Sequence, residues 1–136
     1  MTTSNLRQTA QAMVEPGQGV LAMDESTPTV GKRLKAVGVD NSEDNRIAYR
    51  SILLGTPGLG EYISGAILYD ETIRQSTAEG ESFVELMQRQ GIMPGIKVDT
   101  GAKELALHAG EKVTEGLDGL RERLEEYVGL GAKFCK

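Results

Sequence analysis

Three ionisable residues stand where apolar runs end. Asp24 follows Gly19-Val20-Leu21-Ala22-Met23, Lys97 lies within Gly95-Ile96-Lys97-Val98-Asp99, and Lys136 closes Ala132-Lys133-Phe134-Cys135-Lys136. Successive side chains of a strand point to opposite faces. That alternation pairs Asp24 with Ala22, Lys97 with Asp99 and Lys136 with Phe134, and turns Leu21, Met23, Ile96 and Val98 the other way. A lysine inside an apolar strand is costly unless it is paired or hydrated. In a barrel, Asp24, Lys97 and Lys136 are expected to converge inside its mouth. Two neighbouring ammonium groups disfavour double charging, which frees one amine for nucleophilic or base chemistry. The same pattern also fits a structural Asp–Lys pair filling the interior of a sheet, and spacing leaves both readings open.

A second constellation is basic. Lys32 and Arg33 come soon after the turn Asp24-Glu25-Ser26-Thr27, and Arg46 lies in the first turns of the next helix. Guanidinium and ammonium groups beside a helix N-terminus suit a phosphate; an ordinary solvated helix face would look the same. Other candidates carry less. His108 has no second histidine or cysteine at ligand spacing and reads as a surface residue, so no metal site is expected. Cys135 reads as a small buried apolar residue rather than a nucleophile. The run Gly58-Leu59-Gly60-Glu61-Tyr62-Ile63 lacks the third glycine of a dinucleotide fingerprint, and there is no P-loop. Asp40, Glu43 and Asp44 read as capping residues and solvated surface, not a calcium loop.

Elements must hold these residues in place. Short apolar runs bounded by glycine and acids predict strands over 19–23, 65–69, 93–98 and 132–136. Helical spacing predicts helices over 6–14, 28–38, 42–54 and 82–90, and a stripe of Leu117, Leu120, Leu124 and Tyr127 or Val128 predicts another, ended by Gly129 and Gly131. Ser42 is placed to cap the third helix, with Glu43 and Asp44 facing the positive end of its dipole. Residues 100–111 lack periodicity and read as a loop with room for a short helix. Strands alternating with helices imply an α/β fold with a parallel sheet and right-handed crossovers. Four such strands make either a small open sheet or the first half of an eight-stranded barrel, and a chain that stops inside a strand favours the barrel. A barrel mouth, at the C-terminal ends of the strands, is where Asp24, Lys97 and Lys136 would meet.

Bulk properties narrow the function classes. With 136 residues the chain suffices for one domain and no second one. A net charge of −5, with acids and bases interspersed, argues against a nucleic-acid or anionic-membrane surface. The lone cysteine excludes an internal disulfide and fits a reducing compartment. No apolar run approaches the ~20 residues that cross a bilayer. A cytoplasmic, soluble protein is expected.

Several motifs in register then carry a resemblance. Residues 19–27 (GVLAMDEST), 41–54 (NSEDNRIAYRSILL), 65–71 (GAILYDE), 95–101 (GIKVDTG), 116–123 (GLDGLRER) and 131–136 (GAKFCK) resemble, in order, class I fructose-bisphosphate aldolases. The resemblance implies a (β/α)8 TIM barrel that cleaves fructose 1,6-bisphosphate to dihydroxyacetone phosphate and glyceraldehyde 3-phosphate through a lysine Schiff base. It implies no metal and no cofactor, a sugar phosphate as the partner, and a homo-oligomeric parent. Asp24 matches the family aspartate that handles the substrate's hydroxyl proton and orients the lysines. Lys136 matches the lysine that assists proton transfer beside the Schiff base, and Lys97 the lysine near the sugar hydroxyls. Ser26, Lys32, Arg33 and Arg46 match substrate- or phosphate-binding positions. Thr29 stands where many members have serine, and Pro28 where glycine is common.

The family's Schiff-base lysine and catalytic glutamate lie on later strands, which this chain does not contain. Residues 1–136 are thus expected to form the N-terminal part of the barrel, about four strand–helix units truncated in the fourth strand and inactive alone. Two other readings are a small non-catalytic α/β module that binds sugar phosphates, and a half barrel that pairs with a second copy.

Overall fold

The computed structural model describes residues 6–136. Helix α1 (Leu6–Met13) leads into strand β1 (Gly19–Ala22), followed by α2 (Thr27–Ala36) and α3 (Glu43–Leu54). Then come β2 (Ile63–Leu68), the single turn α4 (Asp70–Ile73), α5 (Phe83–Arg89) and β3 (Met93–Ile96). A pair of short strands, β4 (Gly101–Glu104) and β5 (Lys112–Glu115), precedes α6 (Leu120–Leu130) and β6 (Phe134–Cys135). β1, β2, β3 and β6 form one sheet in that order, and every neighbouring pair is parallel.

Local signals account for most boundaries. Pro28 sits in the first turn of α2, where its missing N–H costs nothing. The Ser42 hydroxyl accepts the Asn45 N–H at 3.2 Å and starts α3. α5 opens on a full capping box, Ser82 and Glu85 each satisfying the other's backbone N–H. α6 ends on Gly131, at a φ of 109° that side chains other than glycine resist.

Two expectations need correction. Residues 100–111 hold no helix; they supply β4 and the tip of an antiparallel hairpin, Gly101 facing Glu115 and Glu104 facing Lys112. Both arms are solvated almost throughout, so no buried face imposes an alternating pattern on them. The last helix begins at Leu120 rather than Leu117, which is 85% exposed, and Gly129 lies within it. Of the expected stripe, Tyr127 is buried and Val128 is exposed.

The core lies between one face of the sheet and the helices. Met23, Ala66, Leu68 and Ile96 pack with Leu54, Ile73, Phe83, Leu86 and Met87. Fully burying a side chain such as Phe83, Leu68 or Met87 contributes about 1.5–3 kcal/mol. The opposite face is sparse. Gly65 and Gly95 lie on it under the ring of Phe134, and Val20 remains 41% exposed. Cys135, expected inside, is exposed. It stands on β6, which pairs with β3 on one side only, and borders an open apolar groove of about 380 Å³ between α1 and α6.

Candidate functional site

The C-terminal ends of the parallel strands carry two ion pairs. Lys136 Nζ contacts Asp24 Oδ2, joining the residue after β6 to the turn after β1. The Asp24 side chain is nearly buried, whereas Lys136 is half exposed. β1 and β6 are the two outer strands of the sheet. In a flat sheet they would lie about 14 Å apart, at ~4.8 Å per spacing. Contact across that span requires the sheet to curve, with these side chains on its concave face. Backbone pairing fixes the approach: Lys136 N–H donates to Ile96 O at 2.9 Å, and Val98 N–H to Lys136 O at 3.1 Å.

Lys97 makes the second pair. Its ammonium donates to Asp99 Oδ1 at 2.6 Å and to Asp99 O at 2.8 Å. The Lys97 hydrogen bond holds the Asp99 carboxyl below the usual carboxylate range; burial opposes it, and the Lys97 charge, the Gly101 N–H and the Lys136 charge add to it. Lys136 therefore touches Asp24 and is felt by Asp99. Of the three residues expected to converge, Asp24 and Lys136 meet directly, and Lys97 takes Asp99 as its partner.

The four phosphate candidates divide. Lys32 makes no hydrogen bond or ion pair with another described residue and borders, with Lys35 and Asp40, a shallow depression of about 400 Å³. Ser26 holds the N-cap position of α2, its hydroxyl 3.2 Å from that of Thr29. Arg33 is paired with Glu25 and donates to Tyr49 Oη at 2.9 Å, yet its side chain is 55% exposed. Arg46 is committed to protein: Nε and Nη2 grip Glu71 at 2.8 and 2.5 Å, and Nη1 bonds Asn41.

Sequence reasoning passed over Glu25 and Arg50. Arg50 is 2% exposed. It donates through Nη1 to Glu25 Oε2 at 2.5 Å and through Nη2 to the Glu25 carbonyl at 2.8 Å. Burial pushes the Glu25 carboxyl up, but the Arg50 hydrogen bond and the charges of Arg50 and Arg33 hold it below the usual range. A signal existed: Ile47, Arg50 and Leu54 fall on one helical face, so an arginine occupies a core-facing position. Chemically, the arrangement offers a partly accessible amine beside a shielded carboxylate, with the cationic side chains of Lys32, Arg33 and Lys35 a short way along α2.

A family model described as fructose-bisphosphate aldolase class-I matches residues 5–136. The chain belongs to that family. It is 62% identical to a probable fructose-bisphosphate aldolase class 1 of Xanthomonas axonopodis pv. citri (strain 306), over 100% of this chain and 41% of the relative. It is 52% identical to the chloroplastic fructose-bisphosphate aldolase 3 of Arabidopsis thaliana, over 98% of this chain and 34% of the relative. Among solved structures, the fructose-bisphosphate aldolase of Plasmodium falciparum, in complex with TRAP and a small-molecule inhibitor, superposes with a TM-score of 0.93 at 48% identity, covering 96% of this chain and 38% of that one. The α/β fold with its parallel sheet is thus an aldolase fold. The chain spans 41% or less of the length of these relatives. Among the described residues, no helix of this aldolase chain is long and apolar enough to cross a membrane.

Proposed function

We propose that this chain supplies the first four strand–helix units of a (β/α)8 barrel that cleaves fructose 1,6-bisphosphate through a Schiff base. The contact between Asp24 and Lys136 carries the reading, since residues from the two outer strands of a flat sheet could not meet and a curved sheet is what a barrel requires. In this reading the amine that condenses with the substrate ketone lies on a later strand. Lys136 passes a proton as the carbinolamine forms. Asp24 takes the hydroxyl proton released when the carbon–carbon bond breaks and becomes neutral, while the electron pair of that bond passes to the iminium on the later strand. Lys97, tethered by Asp99, faces the sugar hydroxyls. Ser26, Lys32 and Arg33 hold a phosphate, and Arg46 joins them by exchanging Glu71 for it. The parent works in the cytoplasm as a homo-oligomer.

The test is a chimera in which residues 1–136 replace the matching segment of the Xanthomonas relative. It is expected to cleave fructose 1,6-bisphosphate, and Asp24→Ala or Lys136→Met is expected to lower kcat by about 10²–10⁴. A folded chimera without cleavage overturns the proposal. Borohydride trapping of the 136-residue chain with dihydroxyacetone phosphate adds a check on the roles. No adduct is expected, and a single adduct mapped to Lys136 or Lys97 would overturn the assignment of the Schiff base to a later strand.

A further inference from the structure

Asp24 and Glu25 occupy a gap in the backbone scaffold. The last bond from β1 to its neighbour is Met23 N–H to Ile67 O at 3.2 Å, and the first bonds of α2 fall on Ser26 O, from Thr29 and Val30 at 2.8 and 3.0 Å. Between them the chain must turn from strand to helix while presenting Asp24 to Lys136. Arg50 reaches this gap from α3. Its fork takes the Glu25 side chain and the Glu25 carbonyl together, so residue 25 is fixed at two points by one planar group. The guanidinium is itself held: it is buried, and its carbon lies 5.3 Å from the centroid of the Tyr49 ring. Tyr49 in turn accepts from Arg33, the other cation on Glu25.

From this geometry we infer that Arg50 is the positioning residue of the site, setting the direction of Asp24 through its two-point hold on Glu25. Arg50 does not touch Asp24 or Lys136. A lysine at position 50 would keep a positive charge opposite Glu25 but could not span carboxylate and carbonyl in one plane. Fork geometry, and not charge alone, is the property that matters. The catalytic meaning of this role rests on the function proposed above; the geometric claim does not.

The experiment reads the Lys136 amine directly. The 136-residue chain is trace-labelled with acetic anhydride, and acetylation of Lys136 is measured by peptide mass spectrometry relative to Lys32 and Lys35. An ammonium engaged with a carboxylate is a poor nucleophile, so Asp24→Asn is expected to raise Lys136 labelling about two- to fivefold, the range for one partly exposed ion pair. Arg50→Lys is expected to raise it to a similar degree with unchanged far-UV circular dichroism. Arg89→Lys, a change at a surface arginine, is expected to leave it unchanged. Wild-type labelling in Arg50→Lys overturns the inference. So does an Arg50→Lys chain that loses its helical signal or labels faster at all three lysines, which would assign Arg50 to the fold as a whole. A chimera that fails to cleave substrate leaves this readout untouched, so the two proposals fail separately.

Discussion

The ring of Phe134 lies across the bare Cα of Gly95, its register partner on the neighbouring strand. A methyl group on Gly95 would strike three ring carbons. Gly95→Ala is therefore expected to destabilise the chain by about 1–3 kcal/mol, the usual cost of overpacking. Adding Phe134→Leu should return part of that loss. Urea denaturation of both variants checks it, and a neutral Gly95→Ala would show that the ring moves aside freely.

The start of α5 offers a cleaner local test. Ser82 Oγ accepts the Glu85 N–H at 3.2 Å, and Glu85 Oε2 accepts the Ser82 N–H at 3.1 Å. Ser82→Ala should cost about 0.5–2 kcal/mol in thermal or chemical denaturation. The helix places Phe83 and Met87 in the core, so the loss is expected to appear in global stability and not as end fraying alone.

Acid should weaken the fold, and the sign follows from three carboxylates. Lys97 holds Asp99 low. Burial raises Glu25 and Asp70, but hydrogen bonds from Arg50 to Glu25, and from Arg74 and Tyr127 to Asp70, outweigh it. A carboxyl depressed in the folded state contributes stability above its unfolded value and loses it as pH falls through the folded one. Stability should be flat with respect to these groups near neutrality and fall below about pH 4. Asp99→Asn is expected to shallow that fall, as read from urea midpoints at stepped pH.

Much of this was legible in the residues, for reasons that differ by element. The parallel strands could be read because their runs are apolar and bounded by glycine and acids, and the Asp24–Lys136 meeting followed from alternation once those strands were placed. The hairpin could not be read, since arms with no buried face leave no period in the sequence. Alternation put Lys97 and Asp99 on one face, and a carboxylate that close along the chain takes the Lys97 ammonium. The phosphate candidates show a further limit. Spacing finds cations, but whether Glu71 already holds Arg46, or no described residue holds Lys32, depends on contacts between separate elements.

Arg123 ties the hairpin to the site. Its guanidinium donates to Val98 O at 2.9 Å and to Gly116 O at 2.6 Å, bridging the end of β3 and the base of the hairpin. Arg123→Met leaves both carbonyls without that donor and should cost roughly 1.5–3 kcal/mol. Amide exchange at Thr100, whose N–H donates to Glu115 O at 2.9 Å, is expected to accelerate in the variant. Unchanged exchange there would show that the hairpin base holds itself.

Lys136 follows Asp24 by 112 residues. On a ribosome adding ~5–20 residues per second, roughly 6–20 s separate the synthesis of the two. β1 can pair with β2, and β2 with β3, well inside that interval, because both partners already exist. The Asp24 carboxylate then waits at the rim of a growing sheet without its cation. Charge neutralisation is among the last events of biosynthesis for this segment, so a nascent chain paused before position 136 would hold the sheet's scaffold while lacking the contact that draws its outer strands together.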